Sequence, residues 1–226
     1  AALLAAAAVI QVAVRHTGTS TNTGAGIARV LLQPTRAGRA LRAVVVMTVG
    51  VGLLIGIYDV IWSFYMRSLG ANDFVIGLSF TLFALPVVVA TPFAGWASDR
   101  WDRRWLTFGS VIFTSLMAPV YPYIRNIPEI FGVGMAEGAV WAFTEPSMNS
   151  FLMESVPERR GEAQGVVGTV MSAAMAAGSL VGGSLFGVGE AVPFWAAGAA
   201  GFLFAVAALP QLRAAGGRAA PAAAPR

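Results

Sequence analysis

The stretch Gly95-Trp96-Ala97-Ser98-Asp99-Arg100-Trp101-Asp102-Arg103-Arg104 decides how this chain is read. Five of its ten residues are charged. On either side lies a long apolar run, Phe74 to Ala97 before it and Trp105 to Ile124 after it, with no charge inside either. Hydrophobic runs of that length each suffice to cross a hydrocarbon core of about 30 Å. Charges packed between two of them mark a short turn in water joining two membrane-spanning helices.

The whole composition agrees. Of 226 residues, 57% are hydrophobic and only 12% are charged, and the mean hydropathy is +0.70. A soluble domain carries about 25% charged residues, so the expected class is an all-α integral membrane protein. There is no cysteine, which excludes disulfides, thiol nucleophiles and cysteine metal sites. His16 is the sole histidine, so no histidine-rich metal site can form. A net charge of +4 is not read as nucleic-acid binding, because the arginines sit in short loops where topology accounts for them.

Working outward, six spans are expected at about 43–66, 73–97, 104–125, 129–154, 162–188 and 191–212, with boundaries good to a few residues. Residues 1–14 read as the end of a helix whose start is missing. Residues 15–42 read as a polar, basic linker, and 213–226 as a disordered tail rich in Ala, Gly, Pro and Arg. Connections as short as Gly189–Glu190 make neighbouring spans antiparallel. Ser155 and Glu158 are spaced as a capping box opening the fifth span. With alternating spans, thirteen arginines fall on one side and only Arg67 and Arg125 on the other. The positive-inside rule then places linker, charged turn and tail in the cytoplasm of a multi-pass cell-membrane protein.

The pattern Gly-x-x-x-Asp-Arg-x-x-Arg-Arg, carried by Gly95, Asp99, Arg100, Arg103 and Arg104, resembles the loop signature of the major facilitator superfamily. There it joins the second and third helices of each six-helix half. The match departs at Asp102, where the family usually has glycine. The resemblance implies a carboxy-terminal six-helix half, with the linker joining it to an amino-terminal half expected as its partner. It also implies alternating access, with the signature loop as a conformational gate. Gly178, Gly182 and Gly183 resemble an antiporter motif with Ser179 in place of proline. The same residues read independently as a small-residue ridge for close helix packing. The arginine that many antiporters place three residues before Glu137 is absent; Gly134 stands there.

Three carboxylates fall inside spans: Asp59 in the first, Glu137 and Glu145 in the fourth. A charge in hydrocarbon costs a few kcal/mol or more, so each should face protein or a wet cavity. They are the candidates for a cavity and for proton coupling. Glu137 and Glu145 lie about 12 Å apart along a continuous helix and about 80° around it, too far for a paired-carboxylate catalytic site. Trp62, Trp141, Met148 and Asn149 are the substrate-lining candidates, since aromatic and thioether groups beside carboxylates suit amphipathic or cationic ligands. Pro146 and the proline pairs Pro86/Pro92 and Pro119/Pro122 should bend their spans.

No phosphate loop, metal-ligand cluster, nucleophile elbow or dinucleotide fingerprint occurs. The facilitator resemblance, with the carboxylates inside its spans, implies a non-enzymatic, cofactor-free secondary transporter exporting a small amphipathic compound with proton coupling. A substrate-specific importer of the same fold is the alternative within that class. A non-transporting half, or a membrane interaction protein, is the alternative outside it.

Overall fold

A computed structural model describes residues 30–215. The expected helix end at 1–14, most of the linker and nearly all of the tail lie outside the described residues. Seven α-helices follow in order: α1 Arg36–Ser68, α2 Asp73–Arg100, α3 Arg103–Met117, α4 Ile127–Trp141, α5 Thr144–Ser155, α6 Arg160–Phe186 and α7 Val192–Ala215. Short 3-10 turns occupy Ala118–Tyr123 and Pro157–Arg159. Among the described residues there is no strand.

Local chemistry sets these limits. Thr35 Oγ1 accepts from the Gly38 amide at 3.2 Å and starts α1. That is seven residues inside the expected linker, so the linker read as 15–42 gives way to helix at Arg36. Asn72 Oδ1 accepts from Val75 N at 2.9 Å and starts α2. The chain reverses between them at Gly70, whose φ of +83° an L side chain would resist. Asp102 caps α3 by accepting from Arg104 N at 3.1 Å. Pro86 and Pro92 lie inside α2, which runs unbroken through both.

Among the described residues, four helical stretches are long and apolar enough to cross a membrane: α1, α2, Pro157–Phe186 and α7. The expected third and fourth spans are each divided. Helix α3 tightens into the 3-10 turn where Pro119 and Pro122 remove two amide donors. The run expected at 129–154 breaks at Ala142–Phe143 into α4 and α5. Pro146 explains the site: its ring would clash with the carbonyl four residues back, that of Ala142. The expected capping box at Ser155 also fails. Ser155 ends α5, and its hydroxyl donates back to the Phe151 carbonyl at 2.7 Å. Helix α7 continues to Ala215, two residues past the start expected for the tail.

Helix α1 is the axis of the packing. It is buried along most of its length against α6 and α7. Its contact with α6 is made by small residues: a Cβ on Gly178 or Gly56 would collide with backbone of the facing helix. Helix α7 packs in turn on α3, and α2 packs chiefly on α4. Much of α2's apolar surface remains exposed, including Phe74, Val88, Phe93 and Trp96. A contiguous apolar surface of this kind belongs against lipid or another protein surface.

Candidate functional site

A cavity of about 240 Å³ lies between α1, α2, α3, the 3-10 turn and α4. Its wall is largely aromatic, with Tyr58 and Trp62 from α1, Phe80 and Phe83 from α2, Tyr121 from the turn and Trp141 from α4. Two carboxylates reach it, Asp59 and Glu137. Asp59 is exposed, whereas Glu137 is only 4% accessible.

Glu137 is not left alone. The Tyr121 hydroxyl donates to its Oε2 at 2.5 Å. Tyr121 is itself held, because the Tyr65 hydroxyl lies 2.5 Å from the Tyr121 carbonyl oxygen and 2.8 Å from that of Ile124. The proline-rich 3-10 turn is thus pinned to α1, and its phenol is aimed at α4. The indole of Trp62 donates to Ser79 Oγ at 2.8 Å, tying α1 to α2 at the cavity wall. Tyr58 stacks on Trp62 with ring centroids 6.1 Å apart and meets Tyr121 edge-on at 6.0 Å.

Of the candidates named from sequence, Asp59, Trp62, Glu137 and Trp141 come together at this cavity. The structure places the others elsewhere. Glu145 is exposed in the first turn of α5. Met148 is in the core beside Thr48, whose hydroxyl is 3.9 Å from its sulfur. Asn149 accepts from Gln164 Nε2 at 3.4 Å. The break at Ala142–Phe143 separates these three from α4, so the single face expected for 129–154 does not exist. Tyr58, Ser79, Thr114 and Tyr121 were missed by sequence reasoning. The usable signal was the prolines flanking Tyr121, which forecast an irregular turn there.

The charged turn forms a second region. Arg103 Nε donates to the Ser98 carbonyl at 2.9 Å and Nη2 to Asp99 at 3.1 Å, and Nη1 pairs with Glu154 of α5. Arg104 pairs with Asp102 and donates to the Leu212 carbonyl of α7 at 3.2 Å. The hydrogen bond from Arg104 holds the Asp102 carboxyl below the usual carboxylate range. Asp99 is mostly exposed. The Arg100 guanidinium sits 4.2 Å from the Trp96 ring centroid. Gly95 is exposed, with open space where a Cβ would stand. Gly178 and Gly182 lie against α1, while Gly183 makes only an ordinary contact distance toward Val60. Among the described residues, no three His, Asp or Glu side chains converge as a metal site would require.

The sequence profile of the Major Facilitator Superfamily matches residues 17–225. The chain belongs to the major facilitator superfamily. It is 27% identical to an uncharacterized MFS-type transporter of Methanocaldococcus jannaschii, over 67% of this chain and 40% of that protein. It is 26% identical to multidrug resistance protein 1 of Bacillus subtilis, over 73% of this chain and 41% of that protein. It is 23% identical to the quinolone resistance protein NorA of Staphylococcus aureus, over 68% of this chain and 39% of that protein. This facilitator chain therefore spans about two fifths of the length of these relatives. Family membership and the apolar helices together make it a multi-pass membrane protein.

Proposed function

We propose that this chain is the carboxy-terminal, six-helix half of a secondary transporter that exports a small amphipathic compound, coupled to protons, by alternating access. In this reading α3 with its 3-10 turn forms one broken span, and α4 with α5 another. The observation that carries it is Glu137, a carboxyl buried in a cavity wall that is largely apolar and aromatic. Such a group is expensive in a membrane and marks a substrate or proton path. Asp59 is the second candidate proton carrier, from α1. The names of the relatives, multidrug resistance and quinolone resistance, support export of an aromatic, amphipathic compound.

The exposed apolar face of α2 supports an amino-terminal half as partner, with lipid covering the rest. The arginine distribution supports a cell-membrane protein with the linker, the turn at Gly95–Arg104 and the tail on the cytoplasmic side. Asp99, exposed at the end of α2, faces the opposite half as part of the gate, where a helix amino terminus would favour its charge.

Proteoliposomes containing the full transporter test this. With an imposed proton gradient, Glu137→Gln or Asp59→Asn should abolish gradient-driven export while leaving counterflow exchange intact. Normal transport against a gradient by both single variants would reject proton coupling through these residues. Accumulation in the opposite direction would favour the importer.

A further inference from the structure

Helix α2 presents two different exposed faces. Ala84, Val88, Thr91, Gly95 and Asp99 follow one another at three- or four-residue spacing. Leu85, Val89, Phe93, Trp96 and Arg100 do the same, and every residue of both stripes is exposed. The offset of one residue turns the second stripe about 100° from the first. The first stripe is built of smaller side chains, which let another helix approach closely, and it ends on Asp99. The second is a ridge of bulky apolar groups that holds a neighbouring helix off, and it ends on a cation.

The second stripe has the dimensions of one membrane leaflet. The eleven-residue rise from Leu85 to Trp96 is about 16 Å of helix, against about 15 Å for half a hydrocarbon core. At its polar end the Arg100 guanidinium stands 4.2 Å from the Trp96 ring centroid, and Trp101 meets Trp96 edge-on with centroids 6.2 Å apart. Both indoles are at least half exposed. Indoles in such a position settle at headgroup level.

The donors of Arg100 are unspent. Among the described residues it makes no ion pair, whereas Arg103 pairs with Asp99 and Glu154, and Arg104 with Asp102. Both carboxylates of the turn are therefore taken by other arginines. A planar guanidinium stacked on an indole keeps its edge open for a pair of phosphate oxygens.

We infer that Trp96, Arg100 and Trp101 form a headgroup site for an anionic phospholipid, whose acyl chain lies along Phe93, Val89 and Leu85. The apolar stripe makes the source of the phosphate a lipid and not a free ion. The orientation proposed above puts the site in the cytoplasmic leaflet, where anionic lipids attract cations beside a span. Only the choice of leaflet rests on that reading.

Native mass spectrometry of the full chain tests the site. The chain is released from detergent after incubation with equal amounts of palmitoyl-oleoyl phosphatidylglycerol and palmitoyl-oleoyl phosphatidylcholine. These lipids share their acyl chains and differ in net charge. The parent should take phosphatidylglycerol first by about fivefold, the preference expected from one cation at an anionic headgroup. Arg100→Gln should bring the ratio to within about twofold of unity. Arg100→Lys keeps the charge without the stacked plane and should fall between the two. Arg160→Gln removes an exposed charge from a different turn and should leave the parent ratio unchanged. Equal losses from Arg100→Gln and Arg160→Gln would mean diffuse attraction to a basic surface, and would overturn the inference. So would a parent that shows no preference. A lowered melting temperature in Arg100→Gln with the lipid ratio unchanged would assign Arg100 to the fold, and would overturn it too. Lipid selection is read without substrate or gradient. A failure here leaves the transport reading standing, and a failure of transport leaves the lipid site standing.

Discussion

The Tyr121 phenol donates to Glu137 across sixteen residues of sequence at 2.5 Å, and it is the hydrogen-bond partner that keeps this buried carboxyl satisfied. Tyr121→Phe strips that partner while keeping the ring packing against Trp62 and Phe194. The expected loss is about 1–3 kcal/mol of stability, the cost of an unpaired buried polar group. The double variant Tyr121→Phe/Glu137→Leu should recover part of it, since no polar group is then left alone. Denaturant titration in detergent measures both. Additive losses would show that the two side chains are not coupled.

The cap at Asp102 carries a pH signature. Its carboxyl is held low in the folded chain by Arg104, so its contribution is present above the unfolded value of about 3.9 and is lost as pH falls through the folded one. Amide protection at the start of α3 should stay flat from pH 7 to about 4 and fall below that. Hydrogen exchange followed by mass spectrometry reads it. Asp102→Asn should flatten the acid limb, and a persisting limb would assign it to another group. Asp102→Ala should cost about 1 kcal/mol, and Asp102→Gly only a few tenths.

Gly178 and Gly183 belong to one sequence motif and should behave oppositely. Gly178 lies against the backbone of α1 at Leu53, so Gly178→Val forces the helices apart and should lose about 1–3 kcal/mol. Gly183 has 3.7 Å to its nearest neighbour, so Gly183→Ala should be neutral or stabilising, as for alanine over glycine in a helix. Monodispersity and thermal melting of the purified chain distinguish the two. Similar damage from both would mean that the whole motif serves packing.

Asp99 and Arg103 also separate, although they touch. Asp99 is mostly exposed and makes one ion pair, worth about 0.2–1 kcal/mol at most, so Asp99→Asn should barely alter melting. Arg103 joins the Ser98 carbonyl at the end of α2 to Glu154 on α5. Arg103→Ala should lower melting clearly. A large loss from Asp99→Asn would make the turn an internal staple and not a gate between halves.

The chain's lack of cysteine gives a clean background for topology. Glu158→Cys, in the turn before α6, should resist impermeant thiol reagents in intact cells, whereas Glu190→Cys, before α7, should react. The reverse pattern would invert the proposed orientation.

The helical class, the charged turn and the family were legible because they are written in local composition: apolar runs of fixed length and charges at fixed spacing. Asp59 and Glu137 stood out because carboxylates are rare inside such runs. What could not be read was the side chain that serves Glu137. Tyr121 reaches it only because two prolines tighten the turn and Tyr65 anchors its carbonyl from another helix. Met148 and Asn149 were assigned to the cavity by treating 129–154 as one continuous helix. Pro146 carried the contrary information, since its ring crowds the Ala142 carbonyl and favours a kink or break there, whereas α2 absorbs Pro86 and Pro92 without one.

Helix α2 keeps company with α4, and α1 with α6 and α7, while α1 and α2 scarcely touch beyond their connecting turn. The cavity occupies the fault line between these two groups. Close backbone contact leaves α1 and α6 little room to slide, so an opening motion of this chain is expected along that line instead. The Trp62–Ser79 bond crosses it. Opening there would break that bond, and the freed indole would shift its emission in a variant whose five other tryptophans are replaced.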